Sequence, residues 1–173
     1  MLRQYSSHGD GGADPTDLKR LGSNVILENG VLLFHPENIA IGDNVYIGHY
    51  SILKGYHKNE LTIGDNSWIG QSCFIHAGGG VSIGRNVGIG PGVKIISSYH
   101  VEQGIETPIL FSDLAFEEVV IDDDADIGVG SIILPGVRIG RAVQIGAGSV
   151  VTRSIPDLAV AYGNPARVVR QRK

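Results

Sequence analysis

Three of the six histidines in this 173-residue chain, His57, His76 and His100, stand where an otherwise regular sequence is interrupted. An imidazole with an ordinary pKa of about 6.5 is mostly neutral at pH 7 and can take a proton from an attacking group without a large shift. Its natural use is general-base catalysis of group transfer, which needs two further things: donors for a developing oxyanion and a grip on the carrier of the group. Backbone N–H groups at glycine turns suit the first need. Arginine and lysine suit the second if the carrier is a phosphate-bearing anion. Residues 138–173 hold seven Arg and Lys against Asp157 alone, a net +6, while the other 137 residues sum to −10. One end of the molecule is therefore expected to attract an anion.

These side chains need a frame that presents them together, and the sequence between them is periodic. Aliphatic residues stand at Ile41, Ile47 and Leu53, at Ile63, Ile69 and Ile75, at Ile83, Ile89 and Ile95, and then at Ile121, Ile127, Ile133, Ile139, Ile145 and Val151. Every step within a group is six residues. Four residues on comes a second, mostly small or β-branched position, as at Val45, Ser51, Ser67, Cys73, Val93, Ser131 and Ser149. Glycine often follows the first aliphatic residue, where a turning backbone is expected to gain from having no Cβ. A period of six fits neither the 3.6 residues of an α-helix nor the two of an extended strand. It fits a short strand and a turn, repeated. Three units close a triangular coil of 18 residues, and five coils stacked at about 4.8 Å span about 24 Å. The stretch NVILENGVLLFHPENIA before Ile41 reads as one more degenerate coil, and residues 1–22 as a flexible N-terminal arm.

The interruptions share one phase. Leu53 to Ile63 spans ten residues, Ile75 to Ile83 eight and Ile95 to Ile121 twenty-six, and each follows the third unit of a coil. They must leave the solenoid at one corner, stacking KGYHKNE, HAGGG and a long extruded loop of about residues 96–118 along a single edge with the three histidines. A regular frame tolerates loops anywhere, so their gathering at one corner marks a working edge. The GGG of residues 78–80 reads as a corner turn, because no strand-then-helix pattern surrounds it.

Composition agrees with one compact domain, which the similarity described below extends over residues 23–170. Glycine at 25 of 173 and aromatics at 6% argue against a helical bundle. No apolar run approaches the roughly 18 residues of a membrane span, the N-terminus lacks the apolar centre of a secretory signal, and the lone Cys73 has no intrachain partner. These features point to a cytoplasmic protein, and the acidic remainder opposes general nucleic-acid binding.

The units IGDNVYIG, IGDNSWIG and IGRNVGIGPGV, the SSYH that opens the long loop, and the run ILPGVRIGRAVQIGAGSVVTRSIPDLAVAYGNPARVV together resemble the hexapeptide-repeat acetyltransferases. The similarity is nearest to the sugar O-acetyltransferases of maltose, galactoside and surface-polysaccharide type. It implies an all-β fold, a left-handed parallel β-helix with three sides, one long extruded loop and a short C-terminal tail. The hand comes from the resemblance alone, since parallel crossovers are ordinarily right-handed. The resemblance further implies a homotrimer with active sites between subunits, acetyl-CoA along the coils toward the C-terminal end, and a sugar hydroxyl acceptor near the loop histidine. By the match at SSYH, His100 is the catalytic base. The GNPA segment, Gly163, Asn164, Pro165 and Ala166, matches the stretch that lies beside CoA, and Arg153 and Arg167 fall where relatives carry a cation near its phosphates. Asp126 stands where relatives often have Trp, so a packing surface is exchanged for a carboxylate.

Around that base, His76 and Tyr99 are candidates for holding the acceptor, and Glu102 for contacting it or orienting His100. Gly128 and Gly146 are candidates for backbone contacts to the thioester, although every glycine of the repeat has a structural reason to be there. His57 and Trp68 are further candidates at the acceptor. Cys73 falls on an inward position without an activating partner, so direct transfer without an acyl-enzyme is expected. Three other functions compete: an N-acetyltransferase of a nucleotide-linked amino sugar, a non-catalytic structural or binding solenoid, and a metal lyase like the γ-type carbonic anhydrases. The last uses histidines five apart, whereas His49 and His57 are eight apart and His76 and His100 twenty-four. The run Asp122 to Asp124 reads as a solvated turn, and no metal is expected.

Overall fold

The computed structural model describes residues 4–173. Its strands form a left-handed parallel β-helix with three faces. Six complete rungs stack on one another. The first comprises Arg20–Leu21, Ile26–Leu27 and Leu32–Phe34, and the second Ile39–Ile41, Tyr46–Ile47 and Ile52–Lys54. Leu61–Ile63, Trp68–Ile69 and Phe74–His76 form the third, followed by Val81–Ile83, Gly88–Ile89 and Lys94–Ile96 as the fourth. After the long loop come Val119–Ile121, Asp126–Ile127 and Ile132–Ile133, then Arg138–Ile139, Gln144–Ile145 and Val150–Val151. The C-terminal residues continue the second face: Ala159–Gly163 pairs parallel with Gln144–Ile145 and antiparallel with Ala166–Gln171, so the expected tail is a hairpin.

The period-six positions align as the triangular winding requires. Ile41, Ile63, Ile83, Ile121 and Ile139 are register partners on the first face. Ile47, Ile69, Ile89, Ile127 and Ile145 line the second, and Leu53, Ile75, Ile95, Ile133 and Val151 the third. All are buried in one continuous core with the smaller residues of the second position. Removing each large aliphatic side chain from water contributes about 1.5–3 kcal/mol. The degenerate coil before Ile41 exists as the first rung and begins at Arg20. Of the segment expected as an arm, residues 1–3 lie outside the described residues; Gly12 bridges Leu33, and Leu18 is buried.

The repeat glycines serve a different purpose from the one expected. None of the nine that follow the aliphatic residue has a positive φ. Instead, at eight of the nine the backbone of the next rung passes so close that a Cβ has no room: at Gly64 it would stand 2.6 Å from the Gly84 carbonyl, and at Gly146 the Tyr162 side chain fills that space. The left-handed turn falls two residues later, on Asn44, Asn66 and Asn86 at the corner between the first and second faces. Asparagine tolerates that region better than most residues, and the amides bond up the stack, with Asn24 donating to Asn44 at 2.6 Å and Asn44 to Asn66 at 3.0 Å.

A carboxylate column runs beside the amides. Asp43 accepts from the Ser23 N–H at 2.7 Å, Asp65 from that of Asp43 at 2.8 Å, Asp123 from that of Arg85 at 2.8 Å and Asp157 from that of Arg141 at 3.0 Å. Each stitches its rung to the one before. The Arg85 N–H and guanidinium hold the Asp123 carboxyl below its ordinary range. A carboxyl whose folded pKa is depressed stabilises the fold above its unfolded value of about 3.9 and loses that contribution as the pH falls through the folded value. We expect Asp123→Ala to lower the urea midpoint at pH 7, with the gap from the wild-type chain closing as the pH is taken below about 4. A gap that stays constant with pH would assign the loss to packing.

Buried serines complete the corners. Ser51 donates to the Gly70 carbonyl at 2.9 Å and accepts from the Cys73 N–H at 3.1 Å; Ser67 and Ser131 bridge the following rung in the same way. Such bridges satisfy backbone groups that the strand ladder misses.

Candidate active site

All three insertions leave at the corner between the third and first faces, because Leu53, Ile75 and Ile95 lie in register on one wall. The long loop emerges as an antiparallel hairpin, Ser98–His100 against Leu114–Phe116, with a short 3-10 turn at Ile109–Phe111. Its root is fixed by Ser97, which is fully buried. The Ser97 hydroxyl donates to the His76 carbonyl at 2.8 Å and accepts from the Gly79 N–H at 2.9 Å. This is the bridge that Ser51, Ser67 and Ser131 make, turned toward the preceding rung. Asn59 ties the first insertion to the second by donating to the Gly78 carbonyl at 2.6 Å. The working edge is thus stapled where loop exits break the strand ladder.

The hairpin side chains alternate. His100 lies on the side of Leu114 and Phe116, and with Tyr56, His57, Lys58 and Asp113 it lines a cleft of about 600 Å³. The His100 Nδ1 is 3.2 Å from the Ser112 carbonyl oxygen. A carbonyl only accepts, so Nδ1 carries the hydrogen and the neutral ring keeps its lone pair on Nε2. Tyr99 lies on the opposite side, where its hydroxyl donates to Glu117 at 2.9 Å, which raises the phenol above its ordinary range. His76 is half-buried in its rung. Burial first, then the charge of Lys54 and the nearby His8, push its pKa down and favour the neutral ring.

The anticipated site residues separate into two groups. His57, His76, Tyr99, His100 and Glu102 share the ridge, with Glu102 exposed on the loop; the partner of the His100 ring is the Ser112 carbonyl. Arg153 follows Val150–Val151 at the same corner, two rungs toward the C-terminal end. Gly128 and Gly146 stack at the corner between the second and third faces. The GNPA residues Gly163, Asn164, Pro165 and Ala166 form the turn of the C-terminal hairpin, with Gly163 donating its N–H to Ser149 at 3.2 Å and Arg167 opposite Tyr162. Within one chain the width of the third face separates the ridge from Gly128, Gly146 and the GNPA turn, while Arg153 stands on the ridge's own corner.

Other candidates lie elsewhere. Trp68 stacks on Tyr46 on the second face, with ring centroids 5.8 Å apart, and exposed Asp126 stands farther along that face. The Asp122–Asp124 run is tied into the frame: Asp122 pairs with Arg138 and Asp123 with Arg85, each at 2.8 Å, while Asp124 accepts from Asn86 at 2.9 Å. Among the described residues no three His, Cys, Asp or Glu side chains form a group able to hold a metal. Cys73 is buried, its thiol pushed up chiefly by that burial and directed to the Gly90 carbonyl at 3.3 Å. No helix of the described residues is long and apolar enough to cross a membrane. Tyr56 and Ser97 escaped the sequence reading. The offset of the first insertion placed its loop on the working edge, but nothing in KGYHKNE singled out the tyrosine.

Comparison with known proteins gives three kinds of similarity. A family model described as the hexapeptide repeat of succinyl-transferase matches residues 60–96 and 118–153. A Saccharomyces cerevisiae protein provisionally named an acetyltransferase is 41% identical over 154 residues, covering 86% of this chain and 63% of its own length. Galactoside O-acetyltransferase of Lactococcus lactis is 38% identical over 92 residues, 53% of this chain and 43% of the enzyme. The chain thus spans less than two thirds of these relatives. Among solved structures, a point variant of AntD, an N-acyltransferase from Bacillus cereus in complex with dTDP-4-amino-4,6-dideoxyglucose and coenzyme A, superimposes with a TM-score of 0.81. It is 27% identical, covering 90% of this chain and 84% of that one.

Proposed function

We propose that this chain, which carries hexapeptide repeats and is similar to acetyltransferases built on them, transfers the acetyl group of acetyl-CoA to a hydroxyl of a sugar, with His100 as general base. One observation carries the reading: His100 lines the ridge cleft with Nδ1 committed to the Ser112 carbonyl. That arrangement leaves Nε2 as the proton acceptor. The acceptor hydroxyl loses its proton to Nε2 as its oxygen attacks the thioester carbonyl. The tetrahedral intermediate collapses by breaking the C–S bond, and the departing thiolate recovers the proton from the imidazolium as free CoA thiol. Burial and the raised pKa of Cys73 support transfer without an acyl-enzyme, because a buried thiol is a poor nucleophile.

Acetyl-CoA is the donor in this reading. Its phosphates meet Arg153 and Arg167 at the basic end, and its pantetheine runs past Gly128, Gly146 and the GNPA turn. Gly128, Gly146 and the GNPA turn stand on a different corner of one chain from the ridge, so they meet it where the ridge of one copy faces the adjoining corner of another. A homotrimer with shared sites supplies that meeting, and mass measurement in solution tests it.

A second reading, N-acetylation of a nucleotide-linked amino sugar, is favoured by two relatives. One is AntD with its bound amino sugar. The other is dTDP-3-amino-3,6-dideoxy-alpha-D-galactopyranose 3-N-acetyltransferase of Aneurinibacillus thermoaerophilus, 52% identical over 54 residues, which are 31% of this chain and 28% of that enzyme. Release of CoA thiol with a galactoside, and with dTDP-4-amino-4,6-dideoxyglucose, separates the two. We expect turnover with the hydroxyl acceptor and an ester product by mass and NMR. Turnover confined to the amino sugar would select the second reading, and absence of thiol release with either would contradict both.

A further inference from the structure

We propose that Tyr56 selects the acceptor, its ring and hydroxyl forming the wall against which the sugar binds beside His100. This inference rests on the acyl-transfer reading above and names the residue that gives its cleft shape. Tyr56 belongs to the first insertion, four residues longer than the repeat requires. Its backbone is pinned from two sides: its carbonyl accepts from the Asn38 side chain at 2.7 Å, and its N–H donates to the Asn59 carbonyl at 3.1 Å. Four rings surround its own. His57 is 4.3 Å away between centroids, Phe116 5.5 Å, His76 6.0 Å and His35 6.5 Å. Those neighbours come from the first insertion, from the third-rung strand that leads into the second, from the long loop and from the end of the first rung. Tyr56 is the point at which the first insertion packs on the long loop and on the frame beneath both.

A ring held this way loses little further freedom on binding, so contact with a ligand is not offset by the cost of ordering the side chain. Tyr56 is also half-exposed and lines the same cleft as His100. Tyrosine hydroxyls in packed surroundings usually have a hydrogen-bond partner. The hydroxyl of Tyr56 has none among the described residues, whereas that of Tyr99 is taken by Glu117. A flat apolar ring with an uncommitted hydroxyl suits the mixed surface of a sugar, which presents C–H groups on one side and hydroxyls at its edge.

The test is binding of two probes, a methyl galactoside and dTDP-4-amino-4,6-dideoxyglucose, to the full chain with CoA present, by titration calorimetry. The wild-type chain is expected to bind at least one. Tyr56→Ala is expected to weaken that binding about tenfold or more, and Tyr56→Phe, which keeps the ring packing, about threefold to tenfold. CoA affinity and melting temperature of Tyr56→Phe should be unchanged. Wild-type affinity in both variants, a parallel loss of CoA binding in Tyr56→Phe, or failure of the wild-type chain to bind either probe would overturn the proposal. If the probe binds and the Tyr56 variants lose it, yet no chain releases thiol from acetyl-CoA, the transfer reading fails while the assignment of Tyr56 stands.

Discussion

Replacing His100 by alanine is expected to lower kcat by about 10²- to 10⁴-fold, the range that a positioned general base contributes. CoA affinity should survive, because the residues assigned to the carrier lie on other corners or toward the C-terminal end. The hairpin should also survive. His100 is half-exposed, and its strand is held by pairing of Ser98 with Phe116 and Tyr99 with Ala115. The substitution removes only the hydrogen bond from Nδ1 to the Ser112 carbonyl. Initial rates at saturating acetyl-CoA, with CoA binding measured on the same sample, separate the two effects. A fall of less than tenfold would remove His100 from the chemistry. A fall matched by weaker CoA binding would make it a structural residue of the loop.

Ile75→Ala should have the largest effect on the frame. Ile75 is fully buried in the third rung, in register with Leu53 before it and Ile95 after it, directly beneath the ridge. Removing that much buried side chain typically costs about 2–5 kcal/mol, a sum of forfeited transfer energy and the cavity left behind. The parallel ladder on both sides keeps neighbouring rungs from collapsing into the void, so the upper part of the range is expected. Phe74 in the same strand lies outside the core and is half-exposed, so Phe74→Ala is the comparison and should cost less. Urea unfolding of both variants checks this. Equal losses, or a loss under about 1 kcal/mol for Ile75→Ala, would mean that the interior is not packed as the rungs require.

How far these features could be read in advance follows from what each depends on. The rungs were legible because an inward side chain every sixth residue is a property of the winding, and Leu53, Ile75 and Ile95 therefore fell on one wall with the insertions behind them. The reason for the repeat glycines was not legible. Whether Gly64 turns the chain or admits the neighbouring rung depends on a distance to Gly84, and no pattern encodes it. The asparagine and aspartate columns were visible as DN pairs, but their bonds join residues about twenty apart. The partner of His100 was missed for another reason. A search for an acid beside SSYH leads to Glu102, while the group that fixes the ring is the backbone of Ser112, and any residue type supplies a carbonyl.

The most direct test of the account is a crystal structure of the chain with acetyl-CoA and an acceptor bound. The account requires the thioester sulfur in the ridge cleft beside the His100 imidazole, with Nε2 turned toward the acceptor and the nucleotide end of CoA reaching the Arg153 and Arg167 side chains. A carrier bound away from the ridge, or a His100 ring turned from both substrates, would contradict it.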